Sequence, residues 1–264
     1  MRVLVRHAAK ESAETAFIRT NGVEVVAGNL ADPQSLERAL AGVEAAFLLT
    51  PIDGRQVPWK SNLIQAAQAA GVKRIANLSV AGATPDSPII PGRWHWESEK
   101  ELQASGVGWT HLRPYDLARY NTGLFLASAR QGGAFYSTIG DGRVAMVDEE
   151  DVAVVAAQAF LSPAHAGKAY TLTGPRALSY PEVAEAISGE MGTPVRYVNV
   201  TEGEAKAAML GMGMPEWIAD FINDLRRMEA GGGAAAVTSD VEKVMGRAAT
   251  AYAASLRAVL AGLR

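Results

Sequence analysis

His95 and Glu99 stand four residues apart in the stretch PGRWHWESEKELQASGVGWTHLRPYDLARYN, which runs from Pro91 to Asn121. At helical pitch that spacing stacks them one turn apart. An imidazole that titrates near neutrality, beside a carboxylate that could orient or charge it, is an acid/base candidate. A histidine near a helix start could equally serve as a cap or a solvated group. Ser79 ends an earlier apolar run, where it could hydrogen-bond a substrate carbonyl or only close its strand. Trp94, Trp96, Tyr115, Tyr120 and Phe125 offer flat faces for a conjugated ring, although each could as well be core. Asn121 adds an amide in the loop beyond Pro114. Further on, MLGMGMPEW (209–217) is rich in unbranched, polarizable side chains, and Met212, Met214 and Trp217 are candidates to close an apolar pocket, with core packing as the alternative.

For these groups to meet, a helix over the His95 region must feed a buried strand, Trp109 to Leu112, and then a polar loop. The chain before it supplies the scaffold by alternation. Val3–Val5, Val23–Val26, Ala45–Leu49 and Ile75–Leu78 read as short apolar strands. Helical patterns intervene at Ala8–Thr20, from the Asp32 cap and Pro33 through Leu40, and at Pro58–Ala70, closed by Gly71. Such alternation predicts a parallel sheet with helices on both faces. In the second half, Ser179 with Glu182 and Thr201 with Glu204 have capping-box spacing. The acids from Asp148 to Asp151 suit a helix N-terminus.

Composition narrows the partners. The 264 residues are 48% hydrophobic with a formal net charge of -3. That is enough apolar chain for one large core or two modest ones, and it gives no attraction to nucleic acid or an anionic membrane. There is no cysteine, and the four histidines lack ligand spacing, so no metal is expected. No apolar run is long enough for a signal peptide or a membrane span, and a cytoplasmic protein with a small-molecule substrate is expected.

The string H-W-E-S-E-K-E-L-x-x-S-G-V-x-W-T-x-L-R-P resembles the NmrA-like branch of the atypical short-chain dehydrogenase/reductases, which includes NADPH-dependent quinone reductases. GVEVVAGNLADPQSL (22–36), GDGRVAMVDEED (140–151) and TGPRALSYPEVAEAISGEMGTPVRYVN (173–199) extend the resemblance over nearly the whole chain. It implies a Rossmann-like α/β fold. Residues 1–130 would form the nucleotide-binding core and 131–264 a smaller C-terminal substrate lobe, partly interleaved with it. By the same resemblance NADP is the cofactor. Arg6 and His7 would stand at the tip of the family's second strand, with Lys10 nearby, where basic groups favour a 2′-phosphate. Asn29 and Leu30 would meet the adenine, and Leu49 and Thr50 would pass beneath the ribose. Ser79 falls at the superfamily's serine. Tyr-x-x-x-Lys becomes Trp96-x-x-x-Lys100, which keeps the lysine and loses the phenolic proton donor.

One feature of the family is absent from this sequence. Met1 to Arg6 matches the second strand, so about 30 residues, one βα unit carrying the Gly-rich phosphate turn, are missing from the resemblance. Three explanations fit: a start codon placed too late, a smaller sheet in which the second and fourth family strands pair directly, or a gap filled by a homodimer partner or a rearranged terminus. Gly211-Met-Gly213 lies in a helical context and does not replace the turn. The functional expectation is hydride transfer from NAD(P)H to a quinone or related conjugated electrophile, for which solvent can protonate the product. The alternatives are an NADP-binding redox sensor without turnover and a ligand-binding protein or non-redox enzyme independent of the cofactor.

Overall fold

The computed structural model describes residues 1–6 and 13–262. The first half is the expected alternation: β1 (Arg2–Val5), α1 (Ala13–Thr20), β2 (Glu24–Ala27), α2 (Pro33–Leu40), β3 (Ala45–Leu48), α3 (Gln56–Ala69), β4 (Arg74–Leu78), α4 (Ile90–Ala104) and β5 (Gly108–Pro114). Asp32 caps α2 through the backbone N–H groups of Gln34 and Ser35, with Pro33 in the first turn. Helix α3 begins at Gln56, two residues before the start read from Pro58, because proline at the third helical position still forgoes no intrahelical bond.

The remaining elements are α5 (Ala118–Gly132), β6 (Ala134–Ser137), β7 (Arg143–Val144), α6 (Glu149–Leu161), β8 (Lys168–Leu172), β9 (Leu178–Ser179), α7 (Tyr180–Met191), β10 (Arg196–Asn199), α8 (Glu202–Gly211), α9 (Glu216–Ala230), α10 (Asp240–Met245) and α11 (Tyr252–Gly262). Both capping boxes form, at Ser179–Glu182 and Thr201–Glu204. Asp148 and Asp151 do more than face a helix dipole. Buried Asp148 accepts from Arg119 and Ser255, while Asp151 accepts from Arg247 and Thr250, so the start of α6 pins α5 and the approach to α11.

Four parallel strands run in the order β3-β4-β5-β8, so β8, from late in the chain, returns to the sheet begun by the first half. Strands β1 and β2 form a separate parallel pair. Direct pairing of β1 with β3, one of the expectations above, does not occur. Among the described residues each of these strands is hydrogen-bonded on one side only, and the β3 residue Phe47 is 42% exposed where a central strand would bury it. Leu4 of β1 nevertheless packs on the same apolar cluster as Leu36, Leu48, Ile64 and Leu102, so side chains tie the two pieces together where backbone does not.

Two further clusters complete the interior. Leu112, Val147, Val155 and Leu172 join the sheet to α6. Phe125, Phe135, Tyr180, Ile187 and Leu256 form the core of the second half, beneath the β6–β10 pair.

Candidate functional site

In open α/β sheets ligands bind beyond the carboxyl ends of the strands, and here that end gathers an unusual set of buried polar groups. Gln56, Lys60, Leu63, Ile64 and Ala67 lie at helical spacing along the buried face of α3. Two members of an otherwise apolar stripe are therefore polar, and both are fully enclosed.

The Lys60 Nζ donates to Asn77 Oδ1 at 2.8 Å and to the Leu78 carbonyl at 2.9 Å, and lies 3.2 Å from His95 Nδ1. Asn77 Nδ2 lies 3.3 Å from His111 Nδ1. His111 stacks on Trp109 with ring centroids 4.5 Å apart. Glu99, fully buried, takes a two-pronged hydrogen bond from Arg113.

The charges follow from burial. Desolvation pushes Lys60 down to about 7, against a smaller upward pull from Glu99. Burial, and then the Lys60 charge, push His95 well below its ordinary value, so it is neutral at physiological pH. Burial also brings His111 down to about 4. For Glu99 burial opposes the charge, yet the Arg113 guanidinium prevails and holds the carboxyl below its ordinary range.

The same helix α4 that carries His95 also borders an apolar cleft of about 380 Å³, lined by Asp53, Gly54, Ile90, Trp94 and Trp217. The two indoles meet edge to face, centroids 6.0 Å apart at 61°. Asp53 holds Arg55 in a bidentate pair, and the guanidinium lies 4.6 Å over the Trp59 ring. Four side-chain atoms of Thr50, Gln56 and Ser79, three residues at the carboxyl end of this sheet, are enclosed without a hydrogen-bond partner. Buried polar groups left unmet in this way suit an environment completed by a ligand.

The structure brings together only part of the set expected from sequence. Trp94 and Trp217 line the cleft, His95 follows Trp94 on α4 and meets Lys60, and Ser79 is enclosed at the end of β4. Glu99 does not meet His95, because Arg113 on the neighbouring strand holds it; Lys60 is the side chain beside His95 Nδ1. Lys100 is exposed and donates to Gln103, whose amide lies 3.3 Å from His111 Nε2, so it touches the network only through Gln103 at its outer edge and does not reach His95. Phe125 is core: it stacks on Phe135 at 4.4 Å and meets Tyr180 edge-on. Tyr115 packs against that same cluster, and Tyr120 is 65% exposed. The Asn121 amide donates to the Leu117 carbonyl and accepts from Arg226, which makes it part of a different ion network. Trp96 is half-buried and outside the cleft lining; Met212 is exposed and Met214 half-buried, and neither lines the cleft.

Around the expected nucleotide site, Asn29 Oδ1 accepts from the Ala31 N–H and closes a turn, and the Leu30 carbonyl accepts from Asn62. Arg6 is exposed at the end of β1, and Leu49 is exposed beyond β3. His7 and Lys10 lie outside the described residues. Lys60, Gln56, Asn77 and Arg113 were missed from sequence. Their signal was faint: a lysine and a glutamine placed on the apolar stripe of a helix.

This fold and this site define the chain's class. A model of the NmrA-like family matches residues 1–255, and the chain belongs to that family. It is 42% identical over 252 residues to an NAD(P)H azoreductase of Xenophilus azovorans, covering 96% of this chain and 86% of that protein. It is 33% identical over 257 residues to quinone oxidoreductase 2 of Escherichia coli K12, covering 96% and 87%. Among solved structures, the NADPH complex of the E. coli NADPH-dependent quinone oxidoreductase matches at TM-score 0.84 and 30% identity over 98% of this chain and 90% of that one. The Citrobacter sp. triphenylmethane reductase complexed with NADP(H) matches at TM-score 0.84 and 25% identity, with the same coverage.

Whether these residues suit such a nucleotide divides along its length. The unmet Thr50, Gln56 and Ser79 groups, the cleft and the His95 imidazole suit its reacting end and a substrate. For the pyrophosphate, the described residues contain no Gly-rich strand-to-helix turn, and the sheet is interrupted between β1 and β3, where the resemblance puts the strand that carries it. No helix among the described residues is long and apolar enough to cross a membrane.

Proposed function

We propose that this chain is an NAD(P)H-dependent oxidoreductase whose substrate is a flat conjugated electrophile such as a quinone or an azo compound. The observation that carries this reading is the cleft between Trp94 and Trp217, lined on α4 by the residue next to a neutral, buried His95. Two indoles meeting edge to face give a planar ring an apolar surface, and the enclosed hydroxyls and amide of Thr50, Ser79 and Gln56 give its polar atoms partners. The reduced nicotinamide supplies hydride when bound. This chain's own part is to hold the acceptor ring in a dry cleft, to orient it, and to protonate the anion that hydride addition leaves. Arg6 at the tip of β1 favours the 2′-phosphate of NADP. A second reading is ligand binding without a nucleotide.

A titration of the full chain with NADPH, followed by nicotinamide fluorescence with NADH as comparison, separates the two. Saturable binding that prefers NADPH, with consumption of NADPH in the presence of a quinone or azo dye, is the expected result. A folded, monodisperse chain that binds neither nucleotide defeats the reductase reading and leaves the second.

A further inference from the structure

A neutral imidazole is a weak acid, so His95 needs a group behind it to deliver a proton at physiological pH. Lys60 Nζ has three partners within reach: Asn77 Oδ1 at 2.8 Å, the Leu78 carbonyl at 2.9 Å and His95 Nδ1 at 3.2 Å. An ammonium donates to all three, whereas a neutral amine donates to the two oxygens and can make the third contact only by accepting from an Nδ1–H. With the ammonium, Nδ1 is the acceptor and the imidazole proton sits on Nε2, which has no hydrogen-bond partner among the described residues. No carboxylate lies within ion-pair distance of Lys60 among the described residues; Glu99 is taken by Arg113.

We propose that Lys60 is a positioning residue and proton source for His95, fixing its Nε2–H tautomer and reloading it as it protonates the reduced substrate. The proposal rests on the reductase reading for its substrate. After hydride from a reduced nicotinamide nucleotide has left an electron pair on the acceptor atom, the Nε2–H bond breaks and the proton joins that pair. A proton passes at the same time from Lys60 Nζ to His95 Nδ1. The products are a neutral amine, a neutral imidazole bearing its proton on Nδ1, and the protonated substrate. A solvent proton arriving at Nε2 then returns the Nδ1 proton to Lys60 and restores the start. The charged groups around the pair agree with this direction. Burial holds Lys60 at about 7, so it gives up a proton readily near neutrality. His111 on β5 is held neutral, Arg113 is neutralised by Glu99, and Lys100 faces solvent. The relay matters most for an acceptor whose anion is strongly basic, such as a nitrogen of an azo bond, and least for a quinone, whose hydroquinone anion solvent can protonate.

The test begins with the uniformly ¹⁵N-labelled full chain, in which long-range ¹H–¹⁵N correlations report the His95 tautomer without any turnover. The wild type is expected to hold Nε2–H. Lys60→Met, of similar length and apolar, is expected to lose that preference. With NADPH and an azo dye, kcat of the wild type should fall as pH rises through about 7, because Lys60 must be protonated. In K60M that limb should vanish and kcat should drop by roughly 10²-fold, with KM little changed and the quinone rate less affected. A wild-type His95 bearing its proton on Nδ1 overturns the proposal with no variant needed, as does a K60M protein with unaltered tautomer and pH limb. If neither substrate is reduced while the tautomer still depends on Lys60, the reductase reading and the proton-source role fall and the positioning role stands.

Discussion

Lys60 and Arg226 are two cations drawn into the interior, and they are treated in opposite ways. Arg226 of α9 is met by Asp116 at 2.8 Å, by Glu229 at 2.6 Å and by the Asn121 amide at 3.3 Å, with the Tyr180 ring 5.7 Å away. Although burial opposes it, this company raises its pKa well above the ordinary value. Lys60 of α3 is more completely enclosed but has only neutral hydrogen-bond partners, and its pKa is forced down to about 7. A guanidinium whose carboxylates are in place is a fastener between α9 and the loop before α5, whereas an ammonium that can shed its charge near neutrality is suited to moving a proton.

If that contrast is right, removing the two cations has unequal consequences. Arg226→Met leaves Asp116 and Glu229 facing one another without a counter-charge, and a loss of about 3 kcal/mol is expected, read as a shift of the urea midpoint at unchanged slope. Glu229 limits the damage, since burial first, and then Asp116, already raise it to about 8. Adding Glu229→Gln should recover part of the loss. A shift no larger than that of an ordinary surface substitution would show that Arg226 fastens nothing.

A smaller effect separates the two networks by the sign of their pH dependence. Glu229 moves from an ordinary 4.5 to about 8 on folding, so it stabilises below the lower value, and its contribution is lost as pH rises between the two. Lys60 moves from 10.5 to about 7, so the unfolded chain binds more protons in that window, and stability from this group grows with rising pH. Each contributes at most about 1.4 kcal/mol per pH unit within its window. Denaturation at a series of pH values should therefore show Glu229→Gln removing a falling component and Lys60→Met removing a rising one. Parallel pH curves for wild type and K60M would mean that Lys60 is not held near neutrality.

Local features of this fold were legible in the sequence because local physics sets them. Both capping boxes, the Asp32 cap and the alternation of strands with helices follow from side chains near one another in the chain. The His95 helix and the Trp94 and Trp217 indoles were also recognisable, by residue type and by the resemblance. What escaped depends on distant pairs. Glu99 was set beside His95 by helical spacing, but its partner Arg113 comes from the next strand. Phe125 reads like any aromatic until Phe135 and Tyr180 close around it. Lys60 reads as a solvated charge, and only the packing of α3 against β4 and α4 buries it. The resemblance left open whether β1 and β3 pair directly or stay apart, and neither strand's sequence could decide it.

The smallest expected effect concerns the cleft itself, and it tests whether recognition and fastening are separable. Trp217 lies on α9, the helix that also carries Arg226, yet it is 38% exposed and its main aromatic partner is Trp94. Since an edge-to-face pair adds about 1 kcal/mol beyond its buried area, Trp217→Ala should move the urea midpoint far less than Arg226→Met does. Its effect should appear instead in substrate binding: KM for a quinone or azo dye should rise several-fold while kcat at saturation and the pH limb set by Lys60 hold. Trp217→Phe, which keeps a flat ring, should restore most of the affinity. A W217A protein with unchanged KM would place the substrate elsewhere. One that unfolds as readily as R226M would make the indole part of the fastener, and the division between the two regions would then fail at the helix they share.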